Sequence, residues 1–154
     1  MQIIAIAADH GGFELKEQLK SYLSSFSDVQ ILDLGAKEYN AWDDYPDFAI
    51  LVAKSIVEKQ ADKAIVVCGS GVGACVTANK FEGVRACVCH DTYSAHQGVE
   101  HDNMNVLCLG GRIIGIEVAK EIIHKFINAK FSGQERHVRR LNKVIELEKR
   151  QVIR

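Results

Sequence analysis

The chain has 154 residues, which is enough for one domain with its own hydrophobic core. Its formal net charge of −1 gives no basic excess of the kind that marks a nucleic-acid binder, and no apolar run approaches the ~20 residues that cross a bilayer. The start of the chain lacks a basic leader with a cleavage site, and the cysteine count of five is odd. We therefore expect a cytoplasmic protein with reduced thiols, acting on neither nucleic acid nor membrane.

Short apolar runs alternate with longer amphipathic ones along the chain. In chain order the patterns predict strand 3–9, helix 13–26, strand 29–35, helix 46–60, strand 63–68, helix 73–81, strand 84–91, helix 92–103, strand 104–111, helix 115–131 and helix 136–154. Continuous Val/Ile/Ala strands that alternate with helices indicate a parallel sheet covered on both faces. The prediction is a single three-layer α/β/α domain over residues 1–154, with a Rossmann-like parallel sheet of about five strands plus a C-terminal helix.

Polar and glycine residues follow four of the predicted strands. The strand ends read "ADHGG", "CGSGVG", "CHD" and "GGR". Ligands of open α/β sheets bind outside the carboxyl ends of the strands. The sequence therefore predicts a binding site at this edge, although turn formation alone could explain any single glycine.

The glycine loop that follows the third strand has two functional interpretations. Residues 69–74 fit G-x-G-x-x-[G/A], and Asp91 lies about 20 residues further on, as in a dinucleotide-binding fold. Two features oppose this nucleotide-binding module: the loop follows the third strand instead of the first, and only two βα units remain. A Walker A loop is excluded because no Lys-Ser/Thr pair follows the glycines.

The other interpretation is an anion hole beside a base. Backbone N–H groups of a glycine loop attract negative charge, and the same field favours thiolate over thiol at Cys68. The Ser70 hydroxyl could then help to stabilise an oxyanion. The competing explanation is that Cys68 is only a small core residue.

Arginine and histidine residues add weaker indications. Arg136 and Arg140 share one helical face, which suits a phosphate but equally suits ion pairs with glutamates further along. Arg112 beside two glycines is harder to explain without a ligand. His10 lies at the predicted site edge and His101 just before the last strand, whereas His90, His96 and His124 have no evident role.

The remaining cysteines and histidines do not predict a metal site. No C-x-x-C or H-E-x-x-H spacing occurs, so zinc is not expected. Cys87, Cys89 and Cys108 are expected to be buried apolar residues.

Seven segments together resemble the ribose-5-phosphate isomerase type B family, which also contains galactose-6-phosphate isomerase subunits and allose-6-phosphate isomerase. In order along the whole chain they are "ADHGG", "DDYPD", "CGSGVG", "TANKFEGVRA", "YSA", "EHDNMNVLCLGGR" and "RHVRR". The resemblance implies an aldose–ketose isomerase of the pentose phosphate pathway that works through a cis-enediolate without metal or organic cofactor. It also implies a homodimer with shared active sites, and leaves open whether dimers pair into tetramers.

The resemblance also implies roles for individual residues. Cys68 would move the proton between C1 and C2, because Ala74 occupies the place where some relatives carry a glutamate base. His101, from the neighbouring subunit, would open the furanose ring with help from Asp9. Ser70 and the amides of Gly69, Gly71, Val72 and Gly73 would hold the enediolate oxygens. The phosphate would be bound by His10, Arg112, Arg136 and Arg140, and Tyr45 would line the sugar pocket.

One departure concerns the substrate. Many relatives carry asparagine after the ring-opening histidine, but this chain has Asp102, then Asn103. Asp102 is expected to contact a sugar hydroxyl or to affect His101. From the seven segments and the glycine loop beside Cys68 we predict interconversion of ribose 5-phosphate and ribulose 5-phosphate, with a six-carbon aldose phosphate as the alternative substrate and a nucleotide-binding module as the alternative class.

Overall fold

A computed structural model of the chain describes residues 1–150. Five strands and six helices follow one another in the predicted order. The elements are β1 (Gln2–Ala8), α1 (Phe13–Leu23), β2 (Val29–Asp33), α2 (Tyr45–Val57), β3 (Lys63–Cys68), α3 (Val72–Ala78), β4 (Ala86–Val88), α4 (Thr92–Asp102), β5 (Val106–Gly110), α5 (Ile116–Asn128) and α6 (Glu135–Arg150).

The five strands form one parallel sheet in the order β2-β1-β3-β5-β4. The predicted three-layer α/β/α architecture is therefore confirmed. β3 lies at the centre of the sheet, between β1 and β5. The loops that follow these three strands consequently open side by side at the same edge.

Two apolar layers hold the helices on the sheet. Successive side chains of a strand point to opposite faces, so Ile4 and Ile6 pack into one layer while Ala5 and Ala7 pack into the other. The first layer holds the buried side of α1, α4 and α5, and the second holds that of α2 and α3. Alanine on the second face leaves room for helices to approach the sheet closely.

The structure differs from the sequence prediction mainly at β4. β4 has only three residues, and the Asn79 side chain pairs with the first of them at the free edge: Nδ2 donates to the Ala86 carbonyl at 2.9 Å and Oδ1 accepts from the Ala86 N–H at 2.8 Å. Cys87 is exposed on this edge strand, so the prediction that it is buried was wrong, whereas Cys89 and Cys108 are buried. The predicted helical residues 151–154 lie outside the described residues. Within residues 1–150, none of the helices has the length and hydropathy needed to cross a membrane.

Candidate active site

The loops after β1, β3 and β5 meet at the carboxyl edge of the sheet with almost no space between their backbones. A Cβ atom added at Gly11 would lie 2.9 Å from the Gly69 nitrogen, and one at Gly111 would lie 2.5 Å from the Gly11 carbonyl oxygen. Real Cβ contacts are essentially never shorter than 3.0 Å. Glycine is therefore required where these loops touch, and their contact brings the polar strand ends together.

A cavity of about 350 Å³ opens where the three loops meet. It contains most of the residues for which the sequence predicts a role at this edge. We call it the cysteine cavity; it is lined by Asp9, Tyr45, Cys68, Gly69, Ser70, Gly73, Arg112 and Ile113.

Cys68 ends the central strand and reaches the floor of the cysteine cavity. The residue is only 4 % exposed, and its Sγ atom accepts a hydrogen bond from the Gly71 N–H at 3.2 Å. This bond depends on the left-handed backbone of Gly71, whose φ is +83°, at the start of α3. The next amide, Val72 N–H, donates to Ser70 Oγ at 3.3 Å. Two backbone donors of the glycine loop thus point towards the sulfur and the hydroxyl.

Asp9 lies beside Cys68, at the end of the neighbouring strand. It is 5 % exposed, and its Oδ1 accepts the Gly12 N–H at 3.2 Å. Burial raises the pKa of Asp9, with a smaller opposing effect from the His10 ring. The site therefore combines a thiol with a carboxyl group that binds a proton more readily than an ordinary aspartate.

His10 and Arg112 supply donors at opposite sides of the loop junction. The His10 ring donates through Nδ1 to Asp43 Oδ1 at 2.7 Å. The Arg112 guanidinium lies over Gly69, where an added Cβ would come within 3.2 Å of its Nη1 atom. The backbone N–H of Arg112 also donates to the Gly69 carbonyl at 3.1 Å, which fixes the start of this side chain.

Three other predicted residues lie in a second cluster. The His101 ring stacks on the ring of buried His137 with 4.0 Å between centroids, and Gln97 Nε2 lies 2.9 Å from His101 Nδ1. Burial lowers the pKa of His137, and the charges of Arg136 and Arg140 lower it further. We call His101, Arg136, His137 and Arg140 the His–Arg cluster.

The His–Arg cluster lies away from the cysteine cavity of the same chain. α4 starts after the carboxyl end of β4 and runs back for 11 residues, or ~16 Å, so that His101 reaches the amino edge of the sheet. The loop before α6 is attached there, since Ser132 N–H donates to the Glu100 carbonyl at 2.9 Å. One chain thus does not unite His101, Arg136 or Arg140 with Cys68. Asp102 is also separate, in a cavity with Cys87 and Met104.

Two further thiols are more acidic than an ordinary cysteine but do not line the cysteine cavity. A hydrogen bond with Cys108 lowers the pKa of Cys75 to about 7, against the opposing effect of burial. A hydrogen bond with Cys89 lowers the pKa of Cys87 to about 7. Neither of these two thiols lines the cysteine cavity, so a lowered pKa alone does not identify the site.

Asp91 and His90 have structural contacts that their sequence positions do not predict. Asp91, the acidic residue of the nucleotide-binding alternative, caps α4 by accepting the Ser94 N–H at 2.6 Å. It also follows β4, which is not adjacent to β3, so its carboxylate does not face the glycine loop as a ribose ligand would. His90, for which no role was predicted, accepts the Gly110 N–H through Nε2 at 2.9 Å and so supports the end of β5.

Among residues 1–150, one group has three donor atoms close enough to suggest a metal ion, and it comprises Asp9, His10 and Asp43. The short Nδ1–Oδ1 hydrogen bond joins two of these donor atoms directly. This geometry is that of a histidine–carboxylate pair, not of donors separated around a cation. A larger cavity of about 640 Å³ at the opposite edge has no thiol or imidazole in its lining.

Comparisons with known proteins show the family to which the chain belongs. Residues 4–144 match the family described as Ribose/Galactose Isomerase. Ribose-5-phosphate isomerase B of Escherichia coli is 37% identical over 150 residues, covering 97% of this chain and 99% of that protein. D-erythrulose-4-phosphate isomerase of Pectobacterium atrosepticum is 39% identical over 133 residues, covering 86% and 87%. The crystal structure of ribose-5-phosphate isomerase B from Mycoplasma genitalium with bound ribulose-5-phosphate superposes with a TM-score of 0.88 at 41% identity, covering 96% of each chain.

Proposed function

Because the chain belongs to the ribose/galactose isomerase family, we propose that it interconverts D-ribose 5-phosphate and D-ribulose 5-phosphate through a cis-enediolate. The observation that carries this proposal is the cysteine cavity, where a thiol, a carboxyl group and a guanidinium group surround one space. The five free thiols fit a cytoplasmic enzyme.

The chemical requirement is the removal of a proton from carbon next to a carbonyl group. Such a proton is very weakly acidic, so the oxyanion that develops must be stabilised as it forms. Cys68 is the proposed base, because its side chain lines the cysteine cavity and the Gly71 N–H holds Sγ in place there. Once the C2 proton has moved to sulfur, the same group can return a proton to C1, and a proton passes between the two oxygens. Ser70 and the glycine-loop amides are the proposed partners of those oxygens.

Ring opening and phosphate binding are proposed to use both clusters. His10 and Arg112 supply positive groups beside the cysteine cavity, whereas Arg136 and Arg140 accompany His101 at the other edge of the sheet. A homodimer that places the His–Arg cluster of one subunit against the cysteine cavity of its partner would complete two equal sites. The exposed side chains of Val144 and Leu147, three residues apart on α6, provide apolar surface for such an interface.

The experiment that tests this function compares Cys68→Ala with Cys75→Ala in an isomerase assay with ribose 5-phosphate. Loss of a general base lowers kcat by about 10²- to 10⁴-fold, and we expect this for Cys68→Ala. Cys75 is the matched control, because its thiol is acidic but does not line the cysteine cavity. Equal activity of Cys68→Ala and the wild type would remove Cys68 from the mechanism.

The same assay separates the proposed substrate from its alternatives. The alternative substrates are two six-carbon phosphates, allose 6-phosphate and galactose 6-phosphate, and one four-carbon phosphate, D-erythrulose 4-phosphate. We expect the largest kcat/KM for ribose 5-phosphate. Calorimetric titration with NAD tests the nucleotide-binding alternative. NAD binding without turnover of any sugar phosphate would contradict the isomerase proposal.

A further inference from the structure

We propose that Asp43 is a positioning residue for His10, and that its carboxylate holds the imidazole ring so that only Nε2 faces the phosphate of the substrate. Asp43 lies outside the strand ends that form the cysteine cavity, in the loop between β2 and α2. This inference rests on the proposed function, in which His10 binds the phosphate.

One carboxylate oxygen of Asp43 holds two groups of His10. Oδ1 accepts the ring Nδ1–H at 2.7 Å and the His10 backbone N–H at 2.9 Å. An ionised carboxylate is only an acceptor, so Nδ1 must carry the proton. The ring and the main chain of His10 are thus fixed to the same atom, which determines both the tautomer and the orientation of the imidazole.

The loop that carries Asp43 also packs on His10 through an aromatic ring. The Tyr39 ring meets the His10 ring edge-on with 6.5 Å between centroids, and it also contacts Phe13 at the start of α1 at 6.2 Å. The Asp43 backbone N–H donates to the Asn40 carbonyl at 3.2 Å, which closes a turn within the loop. These contacts place the Asp43 carboxylate against His10 without help from a ligand.

The groups that face His10 favour its positive form. They are Asp9 from the end of β1, and Asp43 and Tyr39 from the β2–α2 loop. The hydrogen bond to Asp43 raises the pKa of His10, and the charge of Asp9 adds to this effect, while burial opposes it. A phosphate monoester carries about −1.5 to −2 charge at pH 7, so a protonated ring with a free Nε2–H is the better ligand.

Asp43 is held in a way that folding alone does not require. Its side chain is 11 % exposed, and within the described residues Oδ2 is buried with no hydrogen-bond partner. A buried acceptor without a partner costs about 1–3 kcal/mol, and such cases in folded proteins call for an explanation. The two contacts of Oδ1 with His10 are therefore kept although the other oxygen of the same carboxylate has no partner.

The test is Asp43→Asn, with Asp47→Asn as the matched control in the exposed first turn of α2. Asparagine preserves the shape of the side chain but removes the charge. We expect KM for ribose 5-phosphate at pH 7.5 to rise roughly tenfold, which corresponds to about 1.4 kcal/mol, while kcat changes less than threefold. Without the Asp43 carboxylate, His10 becomes protonated only at lower pH. The KM of Asp43→Asn should therefore recover towards the wild-type value as the pH is lowered.

A second measurement follows the His10 ring itself by NMR titration, with inorganic phosphate as the probe ligand. In the wild type, the neutral ring should carry its proton on Nδ1, and the pKa of His10 should exceed that in Asp43→Asn. Unchanged KM together with an unchanged His10 titration in Asp43→Asn would overturn the inference, as would a loss confined to kcat. If the wild type turns over no sugar phosphate, the proposed function fails, yet the NMR titration still decides whether Asp43 positions His10. If Asp43→Asn does not fold, the NMR data of the wild type decide. A neutral His10 ring that carries its proton on Nδ1 supports the inference, and one that carries its proton on Nε2 overturns it.

Discussion

The contact between Gly73 and Tyr45 gives a sharp test of how closely the cysteine cavity is built. A Cβ atom added at Gly73 would lie 2.6 Å from Cζ and 2.7 Å from Cε2 of the Tyr45 ring, whereas ordinary contacts begin at 3.4 Å. The Gly73→Ala substitution therefore requires the ring to move by almost an ångström. Since Tyr45 lines the cavity, this movement changes the space for the sugar.

The expected effect is on activity much more than on stability. Tyr45 is 42 % exposed, so its ring can swing outward, and alanine is favoured over glycine in helices such as α3 by about 0.5–1 kcal/mol. The free energy of unfolding should therefore change by less than about 1 kcal/mol. A displacement of about 1 Å in a substrate-positioning group can cost ~10²-fold in rate, so we expect kcat/KM for ribose 5-phosphate to fall roughly 30- to 100-fold.

The assay is isomerase kinetics combined with urea unfolding of Gly73→Ala and a control. Gly115→Ala is the control, because nothing lies within 4 Å of a Cβ added there. In a Tyr45→Ala background the Gly73→Ala change should have little further effect, since the clashing ring is gone. A Gly73→Ala protein with kcat/KM within threefold of the wild type would refute the idea that this contact shapes the substrate site.

Two other predictions concern acid stability and assembly. Burial raises the pKa of Asp33, but hydrogen bonds from Lys20 and the Gly35 N–H, with the charge of buried Lys16, outweigh burial and lower that pKa. The ionised Asp33 therefore stabilises the fold at pH values above its unfolded pKa of about 3.9, and this stabilisation is lost as the pH falls through the lower pKa of the folded state. Asp33→Asn should lower the free energy of unfolding by about 3 kcal/mol at pH 7. The difference in unfolding free energy between wild type and Asp33→Asn should shrink in acid, and a difference that stays constant down to pH 2.5 would contradict the prediction. Mixing refolded Cys68→Ala and His101→Asn subunits should restore roughly a quarter of wild-type activity, because half of randomly paired dimers carry one intact site. No gain over the separate variants would contradict shared sites.

The sheet could be predicted from sequence because each strand and helix carries its own periodicity. β3 was predicted with its observed limits, 63–68, since an apolar run between Asp62 and Gly69 has clear ends. β4 was predicted too long, because the apolar pattern continues beyond the residues Ala86–Val88 with which this edge strand pairs with β5. The exposure of Cys87 follows from the same edge position, which depends on strand order and not on local sequence.

The site was predictable only where it follows strand ends. Asp9, Cys68 and Arg112 each lie at or within two residues of the end of a strand, so topology alone brings them to one edge. Asp43 and His137 have no such signal: Asp43 is one of three acidic residues in "DDYPD", and His137 lies among arginines in a charged helix. Their partners, His10 and His101, are distant in sequence, and only tertiary structure brings them together.

The five cysteines show why position has to be weighed before acidity in choosing a catalytic thiol. The pKa of Cys75 and that of Cys87 are each lowered to about 7, a value that suits a general base near neutral pH. Neither lines the cysteine cavity, and a base must come within hydrogen-bond reach of the proton that it removes. Cys68 meets that condition because it ends the central strand, where the Gly71 N–H points at the sulfur. Its place in the sheet is therefore what makes Cys68 the candidate base.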